Sequence, residues 1–175
     1  MASDWYSKQI TNRNFLSPIG FKFLLDRAPK TIFFCQEANI PSISLGTVDV
    51  ATPFKAYPID GNITYGTLEL SFLVDEDLEN YLELHNWLKA LGKPQNYEQY
   101  REIEQKPIYT GEGIVSDISI TILSSTKLAN YEVIYIDAFP VSLSGITFNT
   151  VDTDVNYLEA SATFKYTYYN IEKIP

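Results

Sequence analysis

The chain is poor in the residues that usually carry chemistry. It has one cysteine, Cys35, so no internal disulfide can form, and one histidine, His85, so no second imidazole is there to share a metal or relay a proton. Cationic residues are also scarce. Thirteen Lys and Arg against 22 Asp and Glu leave a formal charge of -9, which excludes a nucleic-acid binder that works by neutralising phosphates. Contact with nucleic acid should be repulsive.

No apolar run approaches the length needed to span a bilayer, so no membrane partner is expected. The first residues, MASDWYSKQITNRNF, lack the basic start, apolar stretch and small-residue cleavage site of a secretory signal. With a lone cysteine, this fits synthesis and assembly in a reducing cytoplasm. There is no phosphate-cradling glycine loop, no G-x-S-x-G and no zinc spacing, so neither an enzyme nor a cofactor site is expected. Internal repeats and low-complexity tracts are lacking too.

What the sequence does have is strand-forming material. Aromatics make up 14% of it, and they fall in alternating segments rich in Ile, Val and Thr. At 175 residues one domain is the simplest organisation. The pattern is clearest over 64–91, where the hydrophobic period changes. Leu68, Leu70, Phe72 and Val74 alternate with Thr67, Glu69 and Ser71, as in a strand with one buried face. From Leu78 the apolar positions become Tyr81, Leu82, Leu84, Leu88 and Leu91, an amphipathic helix. Asp75, Glu76 and Asp77 offer capping oxygens and negative charge at its start, and Gly92 and Pro94 end it.

Taken in order, residues 1–17 read as an N-terminal arm and 18–175 as one domain. Phe21–Leu25 and Thr31–Gln36 read as a hairpin around Pro29. Residues 37–62 form a projecting, partly paired excursion whose apolar residues suggest a partner surface. Residues 93–113 read as a surface insertion with a short helix over 96–105. Then come strands at 114–123, 131–138 and 141–148, a turn region at 149–155, and a long final strand over 157–171. The expected fold is mainly β, with roughly eight antiparallel strands forming a sandwich or open barrel and one α-helix packed on its side.

Candidate chemical sites give way to plainer readings. His85 falls in the helix's apolar arc and reads as a packed histidine, and Cys35 in TIFFCQ reads as core. Asp152, Asp154 and Asn156 begin a calcium-loop spacing, but Tyr157 stands where the glycine should be and Thr163 where the bidentate Glu should be. Asn62, Ile63 and Thr64 form a sequon with no secretory route to use it. What a plain monomer leaves unexplained is the stock of sheet edges and the apolar excursion, features that another subunit usually satisfies.

The order of features resembles the tail tube proteins of contractile-tailed bacteriophages. The residues that carry the resemblance are Phe33, Phe34, Cys35, Gln36, Ala38 and Pro41; Leu68 to Val74 entering Asp75 and Glu76; Trp87; Asp137 to Val141; and Phe164 to Tyr169. The resemblance runs from about Asn14 onward. It implies a barrel-like fold, homohexameric rings stacked into a tube that passes DNA, tail sheath and baseplate proteins as partners, and a place in the virion after assembly in the host cytoplasm. Type VI secretion tubes, tube initiators and tail terminators are similar in fold and are the close alternatives.

A physical argument stands beside the resemblance. Closing subunits edge to edge removes sheet edges as a barrel does, and a heterologous contact of that kind makes rings that stack through other surfaces. Within the excursion, Ile43, Phe54 and Tyr57 are the candidate stacking anchors, with cover of the domain's own core as the other reading. Asp49 and Glu69, on the polar sides of their strands, are candidates to face an acidic lumen that holds DNA loosely; ordinary solvent exposure is the other reading. A monomeric β-sandwich that binds carbohydrate through its tyrosines, and a hydrolase using a carboxylate pair, complete the alternatives, and no spacing nominates such a pair.

Overall fold

The computed structural model describes residues 14–92, 97–105, 113–150 and 157–174. Among them are nine strands and three helices: β1 (Phe21–Leu25), α1 (Pro29–Phe33), β2 (Cys35–Ala38), β3 (Ile43–Ala51), β4 (Ala56–Tyr65), β5 (Leu68–Leu73), α2 (Glu79–Gly92), α3 (Glu98–Glu104), β6 (Ser116–Leu123), β7 (Ala129–Leu143), β8 (Glu159–Lys165) and β9 (Tyr168–Lys173). The mainly β, antiparallel architecture with a helix on its flank is as the alternation predicts.

One strand organises the sheets. The first half of β7 lies between β6 and β9, with β1 outside β6; its second half pairs with β8, which continues to β5 and β2. All these pairs are antiparallel. The chain passes between the sheets at Asp137, whose φ of 55° is left-handed, and whose N–H donates to the Asp117 carboxylate at 3.1 Å. Asp tolerates this conformation better than a β-branched residue would. The 131–138 and 141–148 segments, expected as two strands, are therefore one bent strand ending at Leu143. The expected final strand breaks correspondingly at Tyr166 and Thr167 into β8 and β9, one on each sheet.

The two inner faces bury Phe23, Leu25, Ile118, Ile120, Val133 and Tyr135 from one side and Leu68, Leu70, Phe72, Ala160, Ala162 and Phe164 from the other. The helix α2 adds Leu84 and Trp87 to this core. The Trp87 ring sits 6.3 Å from that of Phe164, its indole N–H donates to the Ile114 carbonyl at 3.1 Å, and the Arg27 guanidinium lies 5.0 Å over its face.

Several local expectations are corrected. Phe21–Leu25 does not pair with the 31–36 segment: β1 pairs with β6, and Pro29, pre-set for a first helical turn, opens α1 before β2 leaves to join β5. The strand expected from Thr64 to Val74 is interrupted at Gly66 and Thr67, where the Gly66 N–H donates to the Ser42 carbonyl at 2.8 Å. The carboxylates of Asp75, Glu76 and Asp77 make no hydrogen bond to the helix amides. Instead the Leu78 N–H donates to the Asp75 carbonyl at 3.1 Å, and the buried Asn80 amide donates to the Leu73 carbonyl at 2.7 Å and accepts from the Asp75 N–H at 3.4 Å.

His85 is exposed, because the buried face of α2 runs through Asn80, Leu84, Trp87 and Ala90 and leaves Leu82 and His85 outside. Cys35 packs half-buried against the core. The short helix expected over 96–105 is α3; residues 1–13 of the arm, 93–96 and 106–112 of the insertion, and the Asp152, Asp154 and Asn156 spacing lie outside the described residues.

The helix face can be checked by truncation. Leu84→Ala should cost about 2–5 kcal/mol in urea unfolding, as cavity-forming core changes do, whereas Leu82→Ala should cost under about 1 kcal/mol. Equal losses would reject this placement of the helix.

Candidate assembly surface

The strands β3 and β4 form a two-stranded antiparallel arm apart from the main sheets, and apart from Tyr65 every residue of both strands is exposed. A lone hairpin is marginal in water. This one carries Ile43, Leu45, Val48, Val50, Tyr57, Ile59 and Ile63 in the open, with Phe54 97% exposed in the tip turn. The turn is closed by the Thr52 hydroxyl, which donates to the Lys55 carbonyl and accepts the Lys55 N–H at 3.3 Å.

The apolar residues do not share one side. Paired residues lie on the same face, so Ile43 with Tyr65 and Leu45 with Ile63 form one cluster at the root. The register then shifts between Leu45 and Thr47, where β4 has one extra residue. Beyond it the root's face continues as Thr47 with Asp60 and Asp49 with Pro58, while Val48 with Ile59 and Val50 with Tyr57 form an apolar cluster on the opposite face. The outer arm is therefore amphipathic, with an acidic side and an apolar side. At the shift the backbones crowd: a Cβ on Gly61 would sit 2.9 Å from the Gly46 carbonyl oxygen.

The root is held by tyrosines. The Tyr65 ring lies 6.0 Å from that of Tyr166 and 5.5 Å from that of Tyr169, and Tyr135 completes the group at 4.9 Å from Tyr166 and 5.6 Å from Tyr169. The Tyr169 hydroxyl donates to the Pro41 carbonyl at 3.2 Å, on the other strand's approach to the arm. The hydroxyls of Tyr135 and Tyr166 are buried without a protein partner, and burial pushes the Tyr166 phenol up to about 12 and Tyr135 further. Both stay neutral packing groups.

Among the residues singled out in the sequence, Ile43 lies in the root cluster, Phe54 at the tip and Tyr57 in the outer cluster on the opposite face. Asp49 is exposed on the acidic side of the arm, next to Asp60. Glu69 is exposed on the outward face of β5, its N–H donating to the Asn39 side-chain oxygen at 2.8 Å. The two carboxylates lie on separate sheets. Val48, Val50 and Ile59 belong to the outer cluster with Tyr57, and the period-two spacing of 48 with 50 and 57 with 59 is their signal in the sequence. Among the described residues no group of His, Cys, Asp and Glu could hold a metal ion, and no helix is long and apolar enough to cross a membrane.

The model of the family described as phage tail tube protein matches residues 12–172, which takes in the sandwich, α2 and the arm. The chain belongs to that family. Its role is accordingly a structural one of the tail tube type, as part of a tail particle. Solved structures with this tail tube fold include the anti-feeding prophage cap, the AFP tube terminating cap, at 16% identity and a TM-score of 0.64, covering 99% of this chain and 100% of that one. A chain of the PVC sheath/tube terminator of an extracellular contractile injection system, in the extended state, aligns at 15% identity and a TM-score of 0.60, covering 92% and 99%. A chain of the PVC sheath-tube complex aligns at 14% identity and 0.60, covering 93% and 94%. No curated protein matches the sequence.

Two measurements test these placements. Gly61→Ala must displace the Gly46 backbone, a strain on the order of 1–3 kcal/mol, and should speed amide exchange at Val48 and Ile59 roughly tenfold or more while leaving β5 and β8 protected. Burial pushes the Cys35 thiol up to about 11. At pH 8 its thiolate fraction is then roughly a hundredfold below that of a free cysteine. Labelling by a thiol-specific reagent should be slower in proportion and reach the free-cysteine rate only on unfolding.

Proposed function

We propose that the protein is the structural subunit of a contractile tail tube, forming homohexameric rings that stack into a tube whose acidic bore passes DNA during ejection. The observation that carries the reading is the amphipathic arm, a hairpin whose outer apolar side none of the described residues covers. A second copy would cover it. In this reading Phe54 and Tyr57, with Val48, Val50 and Ile59, seat on the next ring, while Ile43 stays with the root and sets the arm's angle. Residues 37–62 thus act as a stacking element, 93–113 as a surface insertion, and 1–17 as a terminal arm.

The acidic side of the arm, with Asp49 and Asp60, and the outward face of β5, with Glu69, are the candidate linings of the bore. A carboxylate surface repels phosphates and keeps a passing polyanion unbound. Sheath and baseplate proteins are the proposed outer and terminal partners, and assembly takes place in the host cytoplasm before the particle is released.

A second reading keeps the fold and changes the position: a terminal ring that ends the tube. It is favoured by the likeness to the AFP cap and the PVC terminator, and it predicts single rings where the first predicts long tubes. Negative-stain images of the purified protein at rising concentration separate them. Tubes whose length grows with concentration support the first, isolated rings the second, and a strict monomer at high concentration overturns both. Tyr57→Asp should leave rings but cut tube length several-fold, since a charge in a dry apolar contact is costly.

A further inference from the structure

The outward face of the β1-β6-β7-β9 sheet carries a row whose charge is unbalanced at its two ends. The paired residues Lys22, Thr121, Glu132 and Glu172 line up across the four strands, with the cation on one free edge and two carboxylates side by side toward the other. Like charges directly opposed repel. Among the described residues neither Lys22 nor Glu172 forms an ion pair.

The inward face has a matching row, Phe23, Ile120, Val133 and Ile171. The first three are 5% exposed or less, whereas Ile171, at the β9 edge, is 53% exposed. Strand direction points the same way. Three successive antiparallel pairs make β1 and β9 run in opposite directions. A copy generated by rotation about a ring axis keeps the direction of its β1, so that strand meets the first copy's β9 antiparallel. Neither edge contains proline, whereas Pro140 removes a donor from the β7 segment that borders the second sheet.

We infer, on the ring reading above, that β1 of one copy pairs antiparallel with β9 of the next, with Lys22 beside Glu172, Phe23 beside Ile171 and Leu24 beside Asn170. These three pairs form a single register, β1 rising as β9 falls. A slip of one residue would turn every side chain to the wrong face. A slip of two in one direction sets Phe23 against Lys173, and in the other sets Lys22 against Asn170, where it gains no counter-charge. In the register inferred, the charged row and the apolar row both continue from copy to copy, and that sheet has no free edge left in the ring.

The test is a cross-link that a single copy cannot make. Within one chain β1 and β9 are separated by β6 and β7, roughly 14 Å at the usual strand spacing, beyond the reach of a disulfide. In a Cys35→Ser background, Leu24→Cys combined with Asn170→Cys should give, under mild oxidation, a ladder of covalent oligomers up to the ring's full subunit number. Particles of normal size without that ladder overturn the strand pairing and leave the ring reading intact. Unsubstituted protein that forms no particle overturns the ring reading, and the pairing with it. Charge reversal gives an independent check: Lys22→Glu and Glu172→Lys should each raise the concentration needed for assembly about tenfold, and the double reversal should return it to within about threefold of the parent. Additive losses in the double variant overturn the contact.

Discussion

The structure depends on one strand belonging to two sheets. The first half of β7 completes one sheet and its second half begins the other, and the turn between them is made by Asp137 at positive φ with its amide held by the Asp117 carboxylate. The neighbouring segment breaks at the same level: the Thr167 N–H, between β8 and β9, donates to the Ile136 carbonyl at 3.0 Å. Because both segments turn together, the two inner faces are brought over each other. Phe164 and Tyr135 can then be fully buried from opposite sheets while α2 adds Trp87. The bend comes before the core, since without it the two sheets have no reason to face each other.

The same bend supports the arm. Tyr166 and Tyr169 flank the break between β8 and β9, and their rings pack on Tyr65 at the end of β4, while the Tyr169 hydroxyl reaches the Pro41 carbonyl ahead of β3. Both roots of the hairpin are thus tied to the point where the sheets exchange strands. The register shift opposite Gly46 then moves the apolar side of the arm from one face to the other. The root cluster packs toward the domain's own tyrosines, and the outer cluster, through Val48, Val50, Tyr57 and Ile59, is turned away from that side.

Much of this was legible in the sequence where the period was strong. Strict alternation over Leu68 to Phe72 and over Ile118 to Ile122 located buried strands correctly, and the period change after Val74 located α2. The mainly β class followed from the same signals. The differences come from partners far along the chain and from local composition that fits two conformations. The inward positions change from even in β8 (Ala160, Ala162, Phe164) to odd in β9 (Tyr169, Ile171), and the adjacent aromatics Tyr168 and Tyr169 mask that change of phase in the sequence. The helix α1 is only five residues long, and its TIF segment has the composition of a strand. His85 was misplaced because Leu82 and Leu88 suggested an arc centred on it, whereas the buried Asn80, a polar residue, and Trp87 define the true face. In the arm, Ile43 and Tyr57 looked equivalent, and only the register shift separates them.

In the tube proposed, an acidic chain would have to overcome its own charge, and the distribution of surfaces indicates how. At -9 per copy, subunits repel one another at long range, but ordinary salt screens exposed charges over about 8 Å. The surfaces proposed for assembly act at shorter range than that: main-chain hydrogen bonds along sheet edges, and an apolar hairpin side whose desolvation is insensitive to salt. Lys22 stands at the edge of the outward face of its sheet, where none of the described residues pairs with it and another copy can offer a counter-charge. Net repulsion and local attraction then serve different ends. In the assembly proposed, the first would keep free subunits apart and a polyanion loose in the bore, and the second would fix which strand meets which once two copies touch.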